Sequence, residues 1–377
     1  MRAAGLIFSN IHDAAIPELT SRRTMASIPF GGRYRLIDFA LSNMVNSGIT
    51  KVGVITHDNY QSLLDHIGNG KDWDLARRNG GIKILPPFIT AYDNAVANRV
   101  YTTRLEALMG VMNFISRCTE EVLVLSDCDV ICNVDLGVAL EQHAANNADI
   151  TLITATVDTA EQDLDAKAQV PVFDADGRLT DIGVYDGRRG KVEICADIMI
   201  VRRTYLERVV TEAISRGQTS FYRDIVYRNL PRDRFFVARY DGFFARVNSI
   251  ESYFRCSMKL LDRKSRVNLF YRRNQPIFTK VRNSAPTRYL PEAKVKNSLI
   301  ADGCVIEGTV ENSILFRGVH VGKGTVIKNS ILMQDTYTGE NVKLGCVIAD
   351  KDVVIKDGRE LCGHETLPFY ISKGTTV

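Results

Sequence analysis

Two carboxylates separated by a cysteine, Asp127-Cys128-Asp129, follow closely on the apolar run EVLVL at 121–125. Carboxylates at the end of a buried strand are suited to holding a divalent cation, and phosphate chemistry uses such a cation to bridge and neutralise oxygens. Asp127 and Asp129 are therefore the candidate metal ligands. A second set is basic: Arg22, Arg23, Arg33 and Arg35. The planar arginine fork binds two phosphate oxygens at once, but an arginine cluster is also the usual make-up of a solvated basic face. The eight cysteines contain no CxxC pair, and Cys128 and Cys132 have no His or Cys partners at zinc spacing. His57 and His66 read as packed or solvent-facing, and Trp73 as a loop anchor.

These groups need a frame. At 377 residues the chain exceeds what one hydrophobic core usually serves, so two domains are expected. With 45% apolar and 24% charged residues and a net charge of +4, composition argues for neither nucleic acid nor membrane as a partner. No apolar run approaches the roughly 20 residues of a membrane span, and the N-terminal apolar stretch is too short for a secretory signal. A cytoplasmic location is the expectation. Apolar patterning gives strands at 3–8, 51–56, 121–125 and 150–157, alternating with helices at 38–46, 61–67, 104–116 and 136–145. Such alternation predicts a mostly parallel sheet with helices on both faces, and ligands at the carboxyl ends of its strands. The loops after Phe8 and Leu125 are the places to look.

The C-terminal part changes character. The tetrads Asn297-Ser298-Leu299-Ile300, Asn312-Ser313-Ile314-Leu315 and Asn329-Ser330-Ile331-Leu332 recur, with short apolar beats between them. Apolar residues about every six positions, often followed by Gly, predict a solenoid whose turns each hold three short strands. Residues 262–290, rich in Arg, Asn and Pro, read as a connector.

Three segments carry a resemblance: PFGGRYRLIDFALSNMVNSGI at 29–49, IGNGKDWDLARRNGGIKILPP at 67–87, and VNSIESY at 247–253. With the β-helix pattern behind them, they resemble the glucose-1-phosphate adenylyltransferase (ADP-glucose pyrophosphorylase) family over essentially the whole chain. The resemblance implies an α/β fold: a Rossmann-like nucleotidyltransferase domain with a mixed, mostly parallel sheet over 1–261, a connector over 262–290, and a left-handed parallel β-helix over 291–377. It also implies the family's reaction, ATP plus glucose 1-phosphate giving ADP-glucose and pyrophosphate.

Position by position, the resemblance breaks where the family does chemistry. Its glycine-rich phosphate loop falls on Asn10, Ile11, His12, Asp13, Ala14, Ala15 and Ile16, with no glycine and no arginine. Backbone that must approach a triphosphate carries side chains instead. His12 alone in that loop is a weak signal. The family's phosphate-contacting lysine falls on Met25, and its nucleotide G-T-A element on Thr103, Arg104 and Leu105. The two metal aspartates fall on Cys128 and Arg246. The sugar-phosphate lysine falls near Tyr185, and a sugar-site aspartate on Ser220, beside Tyr222. The pattern is similar to the family's GlgD-type subunits and implies no catalytic residue, with Cys128, Arg246, Met25 and Ala15 as degenerate positions. It implies Mg only through a catalytic glucose-1-phosphate adenylyltransferase partner, in a hetero- or homo-tetramer. Arg22, Arg23 and Arg35 match positions where the family contacts anionic sugar-phosphate effectors, and Arg33 lies beside them. Two alternatives stand: an active nucleotidyltransferase with its metal rearranged onto Asp127 and Asp129, and a stand-alone sugar-phosphate sensor.

Overall fold

The computed structural model describes residues 1–87, 101–162 and 164–377. Its centre is a seven-stranded sheet built from β1 (Ala3–Phe8), β2 (Lys51–Ile55), β3 (Gly81–Leu85), β4 (Val122–Asp127), β5 (Ile150–Asp158), β6 (Lys191–Arg202) and β7 (Phe235–Tyr240). Their order is β7-β5-β6-β4-β1-β2-β3. Only β6 runs against its neighbours, so the sheet is mixed but mostly parallel. β1 and β4 read as continuous apolar runs because helices cover both faces and bury them. A core on one face includes Ile7, Phe39 and Val124; the other includes Leu6, Leu108 and Met199.

Helix boundaries follow local chemistry. The helix Leu36–Asn46 begins two residues before the pattern suggested, because the Asp38 carboxylate reaches back to accept the Arg35 N–H at the helix start. The stretch 104–116 is two helices, Arg104–Gly110 and Met112–Ser116, broken at Val111. Thr103 caps the first of these: its side chain accepts from the Glu106 N–H, and Glu106 accepts from Thr103. The connector is not wholly irregular: Arg263–Phe270 is a helix capped by Asp262.

The C-terminal part is a left-handed β-helix of three five-stranded parallel sheets. Its interior holds rows such as Ile306, Val321 and Ile355, or Leu315, Leu332 and Ala349. The recurring tetrads have a physical reason. Each Asn occupies left-handed backbone at a corner, with φ of 43° at Asn297 and 45° at Asn312 and Asn329, where Asn is well tolerated. Each following Ser hydroxyl donates to the carbonyl two residues back and accepts the N–H of the next coil at 3.1 Å. The ladder ends on Cys346 and Val347, where the tetrad sequence also ends.

One β-helix face is covered by the α/β domain. Ile314, Phe316, Ile331, Met333 and Ile348 join the same apolar cluster as Phe30, Phe39 and Tyr253. At that seam Arg23, 3% exposed, donates from Nη2 to both oxygens of Asp350 at 2.9 and 2.7 Å, and Tyr370 donates to Asp350 at 3.1 Å.

Candidate functional site: a filled nucleotide cavity and an open basic cleft

The loop after β1 is tied to itself. Asn10 Oδ1 accepts from the Ser9 and Thr56 hydroxyls (2.6 and 2.8 Å) and from the His57 N–H (3.1 Å), while its Nδ2 donates to Asp13 at 2.7 Å. Asp13 Oδ1 accepts the Met25 N–H at 2.7 Å. A carboxylate of the chain therefore takes a backbone donor that a phosphate-binding turn would offer to its ligand. Burial pushes Asp13 up to about 6 against these donors. Met25 is in the core, and Ala15 lies exposed on a short 3-10 turn.

At the carboxyl ends of the central strands, six charged groups meet. The His12 ring lies 2.7 Å from Asp127 and 3.8 Å from Asp129. Arg104, at the start of its helix, donates to Asp127 at 2.5 Å and to Asp197 at 2.9 Å. Arg246 pairs with Asp197 at 2.7 Å, lies 3.6 Å from Asp129, and donates to the Cys195 carbonyl at 3.0 Å. The Tyr222 hydroxyl donates to Asp197 at 2.8 Å. Asp197 sits where the β6 register slips between Cys195 and Met199, at φ 53°. That bulge aims its carboxylate at the arginines, a use bulges commonly have near functional sites.

Charge balance explains why this cluster survives burial. Three aspartates face two guanidiniums and one imidazole, so a protonated His12 makes the set neutral. Burial alone would lower His12, but the carboxylates of Asp129 and Asp127 outweigh it and raise it to about 9. Burial opposes ionisation of Asp197, yet Arg246 and Arg104 hold it well below the usual carboxylate range. Asp129, with no direct hydrogen bond from either cation, is pushed up by burial.

His12, Asp127 and Asp129 have ligand atoms within 4.8 Å of one another. They do not fit a hydrated Mg²⁺, which prefers several free oxygens in octahedral array. Both oxygens of Asp127 and of Asp197 already accept from cations or Tyr222. His12 as imidazolium offers no lone pair, and two guanidiniums stand beside the ion's seat. Cys128, between the two aspartates, points into the core, and burial raises its thiol well above its ordinary value. Asp127 and Asp129, the candidate metal ligands of the sequence, lie against Arg104, Arg246 and His12.

A second basic region lies between the domains. Arg33, Arg35, Lys280, Arg282, Arg317 and Lys351 line a solvent-open cleft, with Tyr34, His66 and Gln334. Arg317 pairs with Asp302 at 3.0 Å, and Arg35 bonds the Ser62 hydroxyl at 2.9 Å. Burial, with Arg35 and Arg23 nearby, presses Lys351 down to about 7; burial lowers Arg35 to about 10. Only two of the four arginines named from sequence reach this cleft. Arg23 is committed to Asp350, and Arg22 is exposed, touching the Lys373 carbonyl at 3.3 Å. Lys280, Arg282, Arg317 and Lys351 escaped the sequence reading because they come from the connector and the β-helix. Asp197 left a trace: a carboxylate inside the apolar run ICADIMIV. Tyr185 donates to the nearby Arg188 carbonyl at 2.5 Å, outside both clusters.

The geometry defines a class: a nucleotidyltransferase-type α/β domain carrying a hexapeptide β-helix. Residues 16–164 match the nucleotidyl transferase family, and residues 286–366 match the GlmU-like, C-terminal hexapeptide family. Over 372 residues the chain is 34% identical to the glycogen biosynthesis protein GlgD of Bacillus subtilis, covering 98% of this chain and 95% of that one. It is 33% identical over 318 residues to a glucose-1-phosphate adenylyltransferase of Thermotoga neapolitana, covering 82% and 72%. A Thermosipho africanus glucose-1-phosphate adenylyltransferase is 32% identical over 329 residues, covering 86% and 77%. The chain belongs to the glucose-1-phosphate adenylyltransferase family, in its GlgD-type branch. Among the described residues no helix is long and apolar enough to cross a membrane.

Proposed function

We propose that this chain is a non-catalytic, regulatory subunit of a hetero-oligomeric glucose-1-phosphate adenylyltransferase in glycogen biosynthesis. It acts in the cytoplasm on a catalytic subunit of the same family. The observation that carries this reading is the network of Arg104, Arg246 and His12 on Asp127, Asp129 and Asp197. It occupies the strand ends where nucleotide and metal would have to sit. The self-bonded segment around Asn10 and Asp13 supports it, because its polar groups are already used.

The chain's part in catalysis is then indirect. Contact with the partner favours the partner's active state, by as much as the two states differ in affinity for this chain. Sugar-phosphate effectors bind the interdomain cleft, where Arg33, Arg35, Arg282 and Lys351 offer charge to phosphate oxygens. The test is ADP-glucose formation with Mg²⁺ by the chain alone and mixed with a catalytic subunit. The expected result is no turnover alone and a raised rate, or a changed effector response, in the mixture. Turnover by the chain alone on the order of 10 per second would overturn the reading.

A further inference from the structure

The helix Arg263–Phe270 opens an exposed basic face. Residues 263–273 hold five lysines and arginines and no carboxylate. Among the described residues none of the five forms an ion pair: Arg266 and Arg272 donate to the Leu260 and Asn133 carbonyls, and Arg263, Lys264 and Arg273 bond nothing. Arg263 and Val267, four apart, share one side of the helix, and Tyr271 stands just past its end. Val267 is 44% and Tyr271 75% exposed. The face is held in place from behind. Leu269 is buried, Phe270 stacks on Tyr34 at 4.9 Å, and Asn133 donates to the Leu269 carbonyl at 2.7 Å. Arginines around an exposed tyrosine are the make-up of a protein interface, and an ordered support loses little entropy on docking.

The same chain carries a matching surface. The hairpin of Gln169–Phe173 with Leu179–Val184 exposes Asp174, Asp176 and Asp181. Among the described residues none of the three has a cationic partner; Asp174 and Asp181 accept backbone N–H groups alone. Val172, opposite Asp181 in the register, is 52% exposed, and Val184 62%. The two surfaces are opposite in charge and alike in their exposed apolar content, and opposite charge steers docking and fixes its register. We propose that the basic face at 263–273 docks the acidic hairpin of a second copy of this chain. About a two-fold axis each copy lends both surfaces, so the contact occurs twice and closes. The regulatory role proposed above names no surface and fails separately, because self-association is read with no catalytic subunit present.

The experiment is sedimentation velocity on the full chain at micromolar concentration, with thermal unfolding in parallel. Wild type is expected to self-associate, with a Kd that rises about tenfold from about 0.05 to about 0.5 M salt. The triple variant Arg263→Glu, Lys264→Glu, Arg273→Glu should raise that Kd at least about tenfold, and so should Asp174→Lys, Asp176→Lys, Asp181→Lys. All six residues are exposed, so both variants should keep the wild-type Tm within a few degrees. An equimolar mixture of the two reversed chains should associate again to within about threefold of wild type, because each reversed surface then meets its opposite. A monomeric wild type overturns the proposal, as does association that either reversal leaves unchanged. Two weakened variants whose mixture stays apart overturn it too, and point to some other acidic partner. If a triple variant fails to fold, Arg263→Glu and Asp176→Lys decide in the same way, each expected to weaken association about threefold.

Discussion

The strand-end cavity and the interdomain cleft are built from the same residue types and reach opposite outcomes. In the cavity each arginine has a carboxylate: Arg104 has Asp127 and Asp197, and Arg246 has Asp197. Among the described arginines and lysines of the cleft, Arg317 alone forms an ion pair, with Asp302, while Arg35 and Lys280 reach Ser62 and the Asp65 carbonyl. The first arrangement has consumed its own electrostatics and has nothing left to offer an anion. The second keeps most of its positive charge unpaired, and burial, with neighbouring cations, depresses Lys351 to about 7 and Arg35 to about 10. A site can thus lose its chemistry without emptying: cationic side chains replace cations, and the fold keeps a packed, neutral core there. Ligand capacity remains where charge is left unpaired.

The comparison breaks first if the cavity is not held by its pairs. Arg104→Leu leaves Asp127 with His12 alone and Asp197 with Arg246 alone, a buried network one positive charge short, and breaking a buried pair from one side costs about 3–5 kcal/mol. Denaturant unfolding should show that loss, and a loss under about 1 kcal/mol would mean the network relaxes freely. At the seam, Asp350→Ala strands Arg23, whose Nη1 is already buried without a partner. A loss of about 3 kcal/mol is expected there. If β-helix and α/β domain unfold as one unit, the whole transition should shift rather than split.

The sequence was most legible where periodicity meets geometry. The β1, β2, β4 and β5 strands and the helices Gln61–Ile67 and Leu136–Ala145 stand where apolar spacing puts them. The Asn-Ser tetrads mark β-helix corners because the corner backbone and the serine ladder both demand those residues. The charged sites were less legible, for a physical reason. His12, Arg104, Asp127, Asp197 and Arg246 come from five separate segments, and only the closing of the sheet makes them neighbours. His12 alone in a loop gave no hint of two aspartates beside it. Arg23 and Arg35 look alike in sequence, yet one is spent on Asp350 across the seam and the other lines the cleft.

The cleft's side of the comparison is sharpened by pH and by single charges. With sulfate as probe, whose charge is constant near neutrality, affinity should fall about tenfold from pH 6 to pH 8 as Lys351 loses its proton, since one such contact is worth roughly 1.4 kcal/mol. Lys351→Met should bind more weakly at pH 6 and lose most of that pH dependence in calorimetry. Stability moves the other way. Between about 7 and the ordinary lysine value of 10.5, the unfolded chain holds a proton that the folded chain lacks, so the unfolding free energy rises with pH. A flat sulfate profile in the wild type would remove Lys351 from the site.

The smallest expected effect discriminates most finely among the arginines. Arg22 and Arg35 both belong to the cluster read from sequence, but Arg22 is exposed and, among the described residues, bonds the Lys373 carbonyl alone, while Arg35 is 7% exposed in the cleft wall. Arg35→Ala should weaken sulfate about tenfold, the loss of one charge-assisted contact. Arg22→Ala should change sulfate affinity less than about twofold and stability by less than about 0.5 kcal/mol, the range for a surface side chain with one weak bond. An equal loss from both would mean that the anion sits astride the seam at Lys373 rather than inside the cleft, and that the unpaired charge which distinguishes the two regions extends further along the β-helix than the lining residues indicate.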